Sequence, residues 1–296
     1  MLINRHNLDI LYRGFSASFA RGFEGAQSQY GQIAMTVPSS TRDQTYAWLG
    51  QIPKMREWLG ERIIKSLEAH GFTITNRKFE LTIGVERDDI TDDQYGIFGP
   101  LFDEMGRSAR EQPDELIFSL LKAGFDQKCF DGKFFFDTEH PVVEGEETVS
   151  VSNMQAGAGE AWYLLDTSRA IRPVIFQERE KPRLAKVDDD NESYVFTTDK
   201  FLYGVRARHN VGFGLWQLAF ASKAELTPEN YAAARLAMQT MKGDEGRLLG
   251  IRPNTLVVPP SLEGAARRIV SNSLNAEGGT NEWAGTATPI ISPWLG

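Results

Sequence analysis

Apolar and polar residues alternate along one central stretch of the chain. From Phe79 to Val85, every second residue is apolar, and this period of two predicts a half-buried strand. The segment 71–75 has the same period, so we predict a β-hairpin with its turn around Asn76. An isolated two-stranded hairpin is marginally stable in water, so its apolar face needs a partner.

The first 50 residues have a different pattern. Phe15, Phe19 and Phe23 recur every fourth residue, which predicts a short helix with the three rings on one face. Gly, Ser and Gln fill much of the remaining stretch, and the density of apolar groups is too low for it to fold alone. We therefore interpret this stretch as an arm that packs on the rest of the chain or on a neighbour.

Helical periodicity returns after the alternating stretch. Apolar residues four apart from Ile97 to Ala109 predict a helix, and Pro100 delays its start or kinks it. A second helix is expected to begin at Pro113, because proline suits the first helical position. Gly124 is expected to form its left-handed C-terminal cap.

The second half mixes both periods. Residues 162–220 are rich in β-branched and aromatic side chains and predict several strands. Thr227 and Ser261 are predicted to cap two later helices, with a short buried strand between them and a last strand near the C-terminus. Helices and strands do not alternate regularly, so the predicted fold class is α+β.

Composition excludes some functions. The chain has 296 residues and a formal net charge of -8, which argues against a surface that wraps nucleic-acid phosphates. Cys129 is the only cysteine, so no disulfide can form within the chain, which fits a reducing cytosol. We expect neither a secretory signal nor a membrane span, because no apolar run approaches the required length.

Five carboxylates in eight positions raise the possibility of a metal site. They are Glu86, Asp88, Asp89, Asp92 and Asp93. They lie where a strand ends and a helix begins, and acids stabilise a helix N-terminus. Asp89 or Thr91 would cap the helix, with Asp92 and Asp93 in its first turn. A calcium loop would need a central Gly and a distal Glu in an order that is not found here. We therefore favour helix capping over a metal-dependent hydrolase that uses Asp88–Asp93.

Other candidate chemistry is sparse. His140 follows Asp137 and Glu139, but no second histidine lies at a zinc-binding spacing, so we interpret this stretch as a turn before Pro141. Cys129 would need His140 as a base together with an orienting partner, and a small semi-buried residue is the favoured interpretation. Basic residues at 179–186 and 206–208 are expected to form a solvated face or intersubunit ion pairs. We predict no catalytic, cofactor-binding or metal-ligating residue.

Several long strings resemble a known family. They include "CFDGKFFFDTEHP", "WYLLDTSRAIRPVIFQERE" and "FLYGVRARHNVGFGLWQLAF", and the match covers nearly the whole chain in order. The family is the Mu-like phage major head subunit, the T protein. The resemblance implies a major capsid protein with the Hong Kong 97-type capsid fold.

The resemblance also implies a division of the chain. Residues 1–50 would be the N-terminal arm, and 51–87 the extended loop formed by the hairpin. Residues 88–220 would be mainly the peripheral domain with its spine helix and long strands, and 221–296 mainly the axial domain and a closing strand. The expected intersubunit contacts are Phe15, Phe19, Phe72, Asn76, Arg77, Phe79 and Leu81.

The implied function is structural. Copies of the chain would self-assemble into pentamers and hexamers of an icosahedral phage head around double-stranded DNA, which they would not bind sequence-specifically. Expected partners are a scaffold, a head-maturation protease and a portal; no cofactor and no membrane are expected. The protein would be assembled in the bacterial host cytoplasm and reside in the virion. The alternatives are an encapsulin-like compartment that encloses protein cargo, and the hydrolase above.

Overall fold

The computed structural model describes residues 2–47, 49, 71–92, 94–144, 147–243 and 246–296. The helices are α1 Arg5–Gly25, α2 Tyr30–Ile33, α3 Arg87–Thr91, α4 Gly99–Lys122, α5 Ser193–Thr198, α6 Pro228–Gln239 and α7 Glu263–Val270. The strands are β1 Ala34–Pro38, β2 Asp43–Tyr46, β3 Phe72–Thr75, β4 Arg77–Glu86, β5 His140–Glu144, β6 Glu147–Val151, β7 Met154–Gln155, β8 Trp162–Leu165, β9 Val174–Val187, β10 Lys200–Phe213, β11 Ala219–Ser222, β12 Thr255–Val258 and β13 Thr288–Ile291.

Two sheets organise these strands. The long sheet has the order β1-β9-β10-β4, and β9 and β10 each have 14 residues. The five-stranded sheet has the order β13-β12-β8-β11-β7 and carries α6 and α7. Two further pairs, β2 with β3 and β5 with β6, are antiparallel ribbons. This mixture is the α+β class predicted from the sequence.

The predicted hairpin around Asn76 is wrong in its pairing. β3 pairs with β2, from Asp43 opposite Thr75 to Tyr46 opposite Phe72, whereas β4 pairs along its whole length with β10. Asn76 is thus a one-residue joint between two strands that belong to different sheets. Its side-chain amide donates to Ser39 Oγ at 3.0 Å, which fixes the bend.

The predicted helix pair is a single helix, α4. Pro113 lies inside it rather than at a new N-terminus, and proline there removes one intrahelical hydrogen bond. Pro100 stands at the start of the helix, as the delayed-start alternative expected. Gly124 lies in a short 3-10 turn, not in a left-handed cap. A Cβ at Gly124 would stand 2.7 Å from the Phe136 ring, so close packing explains the glycine.

Of the two caps predicted for the later helices, one is confirmed and one is wrong. Thr227 Oγ1 accepts from the backbone N–H of Asn230 at 3.2 Å, which confirms it as the cap of α6. Ser261 is not the cap of α7, because that helix begins two residues later, at Glu263. The Ser261 hydroxyl instead donates to the carboxylate of Glu160.

The buried side chains form two hydrophobic cores. The larger core lies around the five-stranded sheet and the near ends of the long strands, and it includes Trp162, Leu164 and Phe118. The second core lies between α1, α4 and the far part of the long sheet, and it includes Phe102 and Tyr203. Helix α4 contributes to both cores and joins them.

Helices α1 and α4 cross at very short range. A Cβ at Gly22 would lie 1.8 Å from the backbone oxygen of Asp103, and one at Gly106 would lie 2.1 Å from that of Phe19. Only glycine permits such an approach of two backbones. This crossing holds the N-terminal helix, which is much longer than the sequence pattern predicted, against α4.

Candidate intersubunit surfaces

The N-terminal aromatic residues are covered by the chain itself. Phe15 stacks on Phe102 with ring centroids 4.1 Å apart and meets Tyr203 edge-on at 5.0 Å. Phe15 and Phe19 are both buried in the second core. An intersubunit contact would require these rings to face a neighbour. They lie inside the subunit instead.

Three of the other predicted contact residues, Arg77, Phe79 and Leu81, lie on β4 at the edge of the long sheet. Phe79 stacks on the buried ring of His209 at 4.6 Å, and the guanidinium of Arg77 lies 5.6 Å from the Phe79 centroid. Leu81 on the same face is 41% exposed. Phe79, Leu81, Pro182 and His209 line a shallow groove between the sheet and α4. Among the described strands β4 pairs only with β10, so its other edge offers unpaired backbone groups.

His209 makes the floor of this groove sensitive to protonation. It is buried between Phe79, Phe176 and Gln112, and its Nε2 contacts the Gln112 side-chain oxygen. Burial lowers the pKa of His209 to about 4, because the charged imidazolium loses its hydration there. The ring is therefore neutral at pH 7.

The β2–β3 ribbon is fixed at its base. Tyr46 donates its hydroxyl to Gln177 Oε1 at 2.8 Å, and Gln177 Nε2 donates to the backbone oxygen of Ile74 at 3.1 Å. Phe72, a predicted contact residue, is partly buried there and packs against the larger core. Residues 50–70, which include the first part of the predicted extended loop at 51–87, lie outside the described residues.

Other large apolar side chains are exposed at places that the sequence analysis missed. The described examples are Phe196, Tyr194, Leu236, Leu248 and Leu274. Phe196, the most exposed of these at 84%, lies on α5, in a stretch that the sequence analysis assigned to strand. A helix as short as α5 has too few residues for its exposed face to be recognised from periodicity.

Several basic residues of the long strands form ion pairs within the chain. Glu180 binds Arg206 at 3.2 Å and Arg208 at 3.0 Å across the β9–β10 ladder. Lys186 binds Asp9 of α1 at 2.6 Å. These ion pairs lie within one subunit, and the expected intersubunit ion pairs stay a prediction.

The carboxylate-rich stretch begins a helix, as predicted, although its details differ. Asp88 and Asp89 lie in the first turn of α3, which is the favourable place for acids. The predicted cap is wrong: the N-cap is Glu86, Thr91 Oγ1 donates to the Asp88 carbonyl, and Asp92 follows the helix end. Asp93 lies outside the described residues, as does any site that would need it.

Cys129 and His140 do come together, with an orienting partner that the sequence analysis did not identify. Asp131 accepts from the Cys129 thiol at 3.1 Å and contacts His140 Nδ1 at 2.6 Å. Burial and the adjacent Asp131 raise the pKa of Cys129, so its thiol is not an activated nucleophile. Asp131 and Gly132 form a tight turn, with Gly132 at φ +82°.

Solved shells share this architecture. Against a chain from the procapsid of bacteriophage JBD30, the TM-score is 0.86 at 45% identity, covering 99% of this chain and 100% of that chain. Against a chain from the bacteriophage JBD30 capsid, the TM-score is 0.79 at 35% identity, covering 92% of each chain. The fold is therefore the Hong Kong 97-type capsid fold, and the protein is a shell subunit.

Sequence relatives narrow this class. The model of the family "Mu-like prophage major head subunit gpT" matches residues 8–295. The major capsid protein of Escherichia phage Mu is 45% identical over 308 residues, covering 100% of both chains. The Mu-like prophage FluMu major head subunit of Haemophilus influenzae is 47% identical over 277 residues, covering 91% of this chain and 90% of its own. This chain belongs to the Mu-like major head subunit family and is a structural protein of the virion.

A membrane-spanning role finds no support in the helices that are described. None of them combines the length and the apolar content that a bilayer span requires.

Proposed function

We propose that this chain assembles into pentamers and hexamers that close into an icosahedral shell around phage double-stranded DNA. The observation that carries the proposal is the match with the JBD30 procapsid chain over 99% of this sequence. A match of that extent favours a DNA-filled head over an encapsulin-like compartment for protein cargo. In this proposal the chain catalyses no reaction, and the acids at α3 serve the helix.

The surface of the subunit supports assembly. Exposed apolar side chains occur at the β4 edge, on α5 and on α6, where Leu81, Phe196 and Leu236 are examples. Apolar surface that a single subunit leaves exposed is stabilised when neighbours cover it. The net charge of -8 suits a wall that must not bind the genome tightly. Scaffold, head-maturation protease and portal partners, and assembly in the host cytoplasm, belong to the same proposal.

Electron microscopy tests the proposal directly. We would express the chain with and without its neighbouring phage genes and examine the purified protein by negative stain. Uniform round shells, or pentamers and hexamers, are the expected result. Compact monomers under both conditions would contradict the proposal.

Serine substitutions test the three exposed surfaces. Leu81→Ser, Phe196→Ser and Leu236→Ser each remove an exposed apolar side chain without emptying a core. We expect variants at true contacts to fold normally but to lower the yield of shells. Lys128→Ser, at an exposed polar position, is the matched control. Unchanged yield from all three variants would remove these surfaces from the proposal while leaving the shell itself intact.

Deletion of residues 75–78 does not test shell assembly, because these residues are not the tip of a hairpin. Those residues join β3 to β4 across two sheets. Their loss is expected to destroy the subunit fold rather than to affect assembly alone.

A further inference from the structure

Three side chains of different chemistry converge at the edge of the larger core. The atoms Cys129 Sγ, Asp131 Oδ and His140 Nδ1 all lie within 4.8 Å of one another. Cys129 and His140 are buried, and 8% of the Asp131 side chain is exposed. A tight turn at Gly132 places Cys129 and Asp131 on the same side, and His140 is the first residue of β5.

The orientation of His140 is determined by Asn153, which is fully buried. Asn153 Nδ2 donates to the carbonyl of Phe135 at 2.8 Å, and its Oδ1 accepts from the backbone N–H of Asp137 at 2.9 Å. The amide oxygen therefore faces His140 Nε2, at 3.2 Å. Because an amide oxygen can only accept, Nε2 must carry a hydrogen and donate it.

This assignment leaves His140 Nδ1 facing a carboxylate. In a neutral imidazole with hydrogen on Nε2, Nδ1 has a lone pair, and the Asp131 oxygen 2.6 Å away also has lone pairs. Two such acceptors cannot lie in contact unless a cation stands between them. That cation is either a proton or a metal ion. Cys129 Sγ lies on the other oxygen of the same carboxylate, 3.1 Å from Asp131 Oδ1, and the three ligand atoms lie within 4.8 Å of one another.

We propose that Cys129, Asp131 and His140 bind a Zn²⁺-class divalent ion. Thiolate, carboxylate and imidazole are the ligands that zinc takes in proteins. A histidine ligand ordinarily donates its second ring N–H to an acceptor that fixes the ring, and Asn153 has that place here. One dication with a thiolate, a carboxylate and a neutral imidazole makes a neutral buried group, which limits the cost of desolvation.

Binding requires a small adjustment of the three residues. Ligands at about 2.0–2.3 Å from a tetrahedral ion lie roughly 3.3–3.8 Å apart. The thiol is 3.1 Å from one carboxylate oxygen and the imidazole is 2.6 Å from the other, so both must move slightly apart from the carboxylate. The thiol proton, and any proton between Asp131 and His140, leave to solvent when the ion binds. A water molecule would complete four-coordination from the side of the partly exposed Asp131.

The ion would have a structural role. It would tie the turn at 129–133 to the start of β5, beside Trp216, whose ring stacks on His140 at 3.9 Å. This role is independent of the shell proposal, because all three ligands belong to one subunit. The rival interpretation is a hydrogen-bonded cluster that holds only a proton.

The test uses the full chain, stripped of metal with a chelator and titrated with Co²⁺ and Zn²⁺. We expect one ion per chain after gel filtration, a thiolate-to-Co²⁺ charge-transfer band that Zn²⁺ removes, and a higher Tm with Zn²⁺. Wild-type protein that retains no stoichiometric ion and shows no such band would overturn the proposal.

Variants locate the ion. Cys129→Ser and His140→Gln should each weaken Zn²⁺ binding by at least roughly 100-fold, since even residues behind the ligands are worth about 10–100-fold. His6→Gln changes an exposed histidine on α1 and should leave binding unchanged. Unchanged binding in a folded Cys129→Ser variant would also overturn the proposal. If neither variant folds, the spectrum and metal content of the wild type decide.

Discussion

The two hydrophobic cores of this subunit share helix α4 but are closed in different ways. The larger core is enclosed by a five-stranded sheet whose central strands, such as β8, are buried along their whole length. Four buried side chains of the second core come from the terminal helix α1, which is held there by stacked aromatic rings and a glycine-mediated helix crossing. A core that depends on one terminal helix can open without disrupting the rest. We therefore expect the larger core to hold the fold and the second core to allow rearrangement.

The largest expected effects come from two phenylalanines on α4. Phe102→Ala removes a buried ring from the second core, and Phe118→Ala removes one from the larger core. Each should lower the free energy of unfolding by about 3–5 kcal/mol, through lost burial and a cavity. Hydrogen exchange should separate them: Phe102→Ala should speed exchange in α1, and Phe118→Ala in the five-stranded sheet. Identical exchange patterns would show that the two cores unfold as one.

Acid should weaken the packing around His209, which is buried under Phe79. The folded-state pKa of His209 is about 4, below its ordinary value of 6.5. The unfolded chain therefore takes up the proton first as the pH falls, so stability is lost between pH 6.5 and about 4, by up to about 3 kcal/mol. His209→Phe retains a stacked ring but cannot titrate. Urea unfolding across this range should show a shallower acid loss in the variant, and equal slopes would refute the assignment.

The next largest effect on stability is expected at the crossing of α1 and α4. Gly22→Ala would place a methyl group against the Asp103 carbonyl, and overpacking of this kind costs about 1–3 kcal/mol. Gly14→Ala, on the same helix but with open space around it, should instead stabilise α1 by up to about 1 kcal/mol. Thermal unfolding of both variants measures the difference. A Gly22→Ala protein as stable as Gly14→Ala would mean that the helices separate at little cost.

The smallest effect is expected outside both cores. Glu180→Gln removes the acid that Arg206 and Arg208 share on the long strands. These groups are partly exposed, so the loss should be under about 1 kcal/mol and should vanish in high salt. A larger, salt-independent loss in urea unfolding would indicate that the long strands depend on this pairing.

The sequence predicted elements better than it predicted their partners. Alternation from Phe79 to Val85 identified β4, because a period of two is a local property of a half-buried strand. It could not show that β4 pairs with β10, more than a hundred residues later, rather than with the adjacent β3. Pro113 illustrates the same limit, since proline at a helix start and a tolerated proline within a helix have similar neighbours.

The candidate sites were predictable only in part. The family resemblance led to the β4 residues, and Phe79 and Leu81 do lie along an open strand edge. Burial of Phe15 and Phe19 could not be foreseen, because their cover is provided by α4 and β10 from distant parts of the chain. The convergence of Cys129 with His140 depends on the turn at Gly132, and the Asp-Gly pair was the one available signal.

Asn76 determines how a pull on this subunit would be transmitted. With only one residue between β3 and β4, there is no slack to absorb a displacement of the β2–β3 ribbon. A neighbouring subunit that binds the ribbon and displaces it would therefore pull directly on β4, the edge strand of the long sheet. The hydrogen bond from Asn76 to Ser39 would hold the joint in place while β4 moves. Tension between subunits would then rotate β4 and so change the groove above His209, which Phe79 of β4 lines.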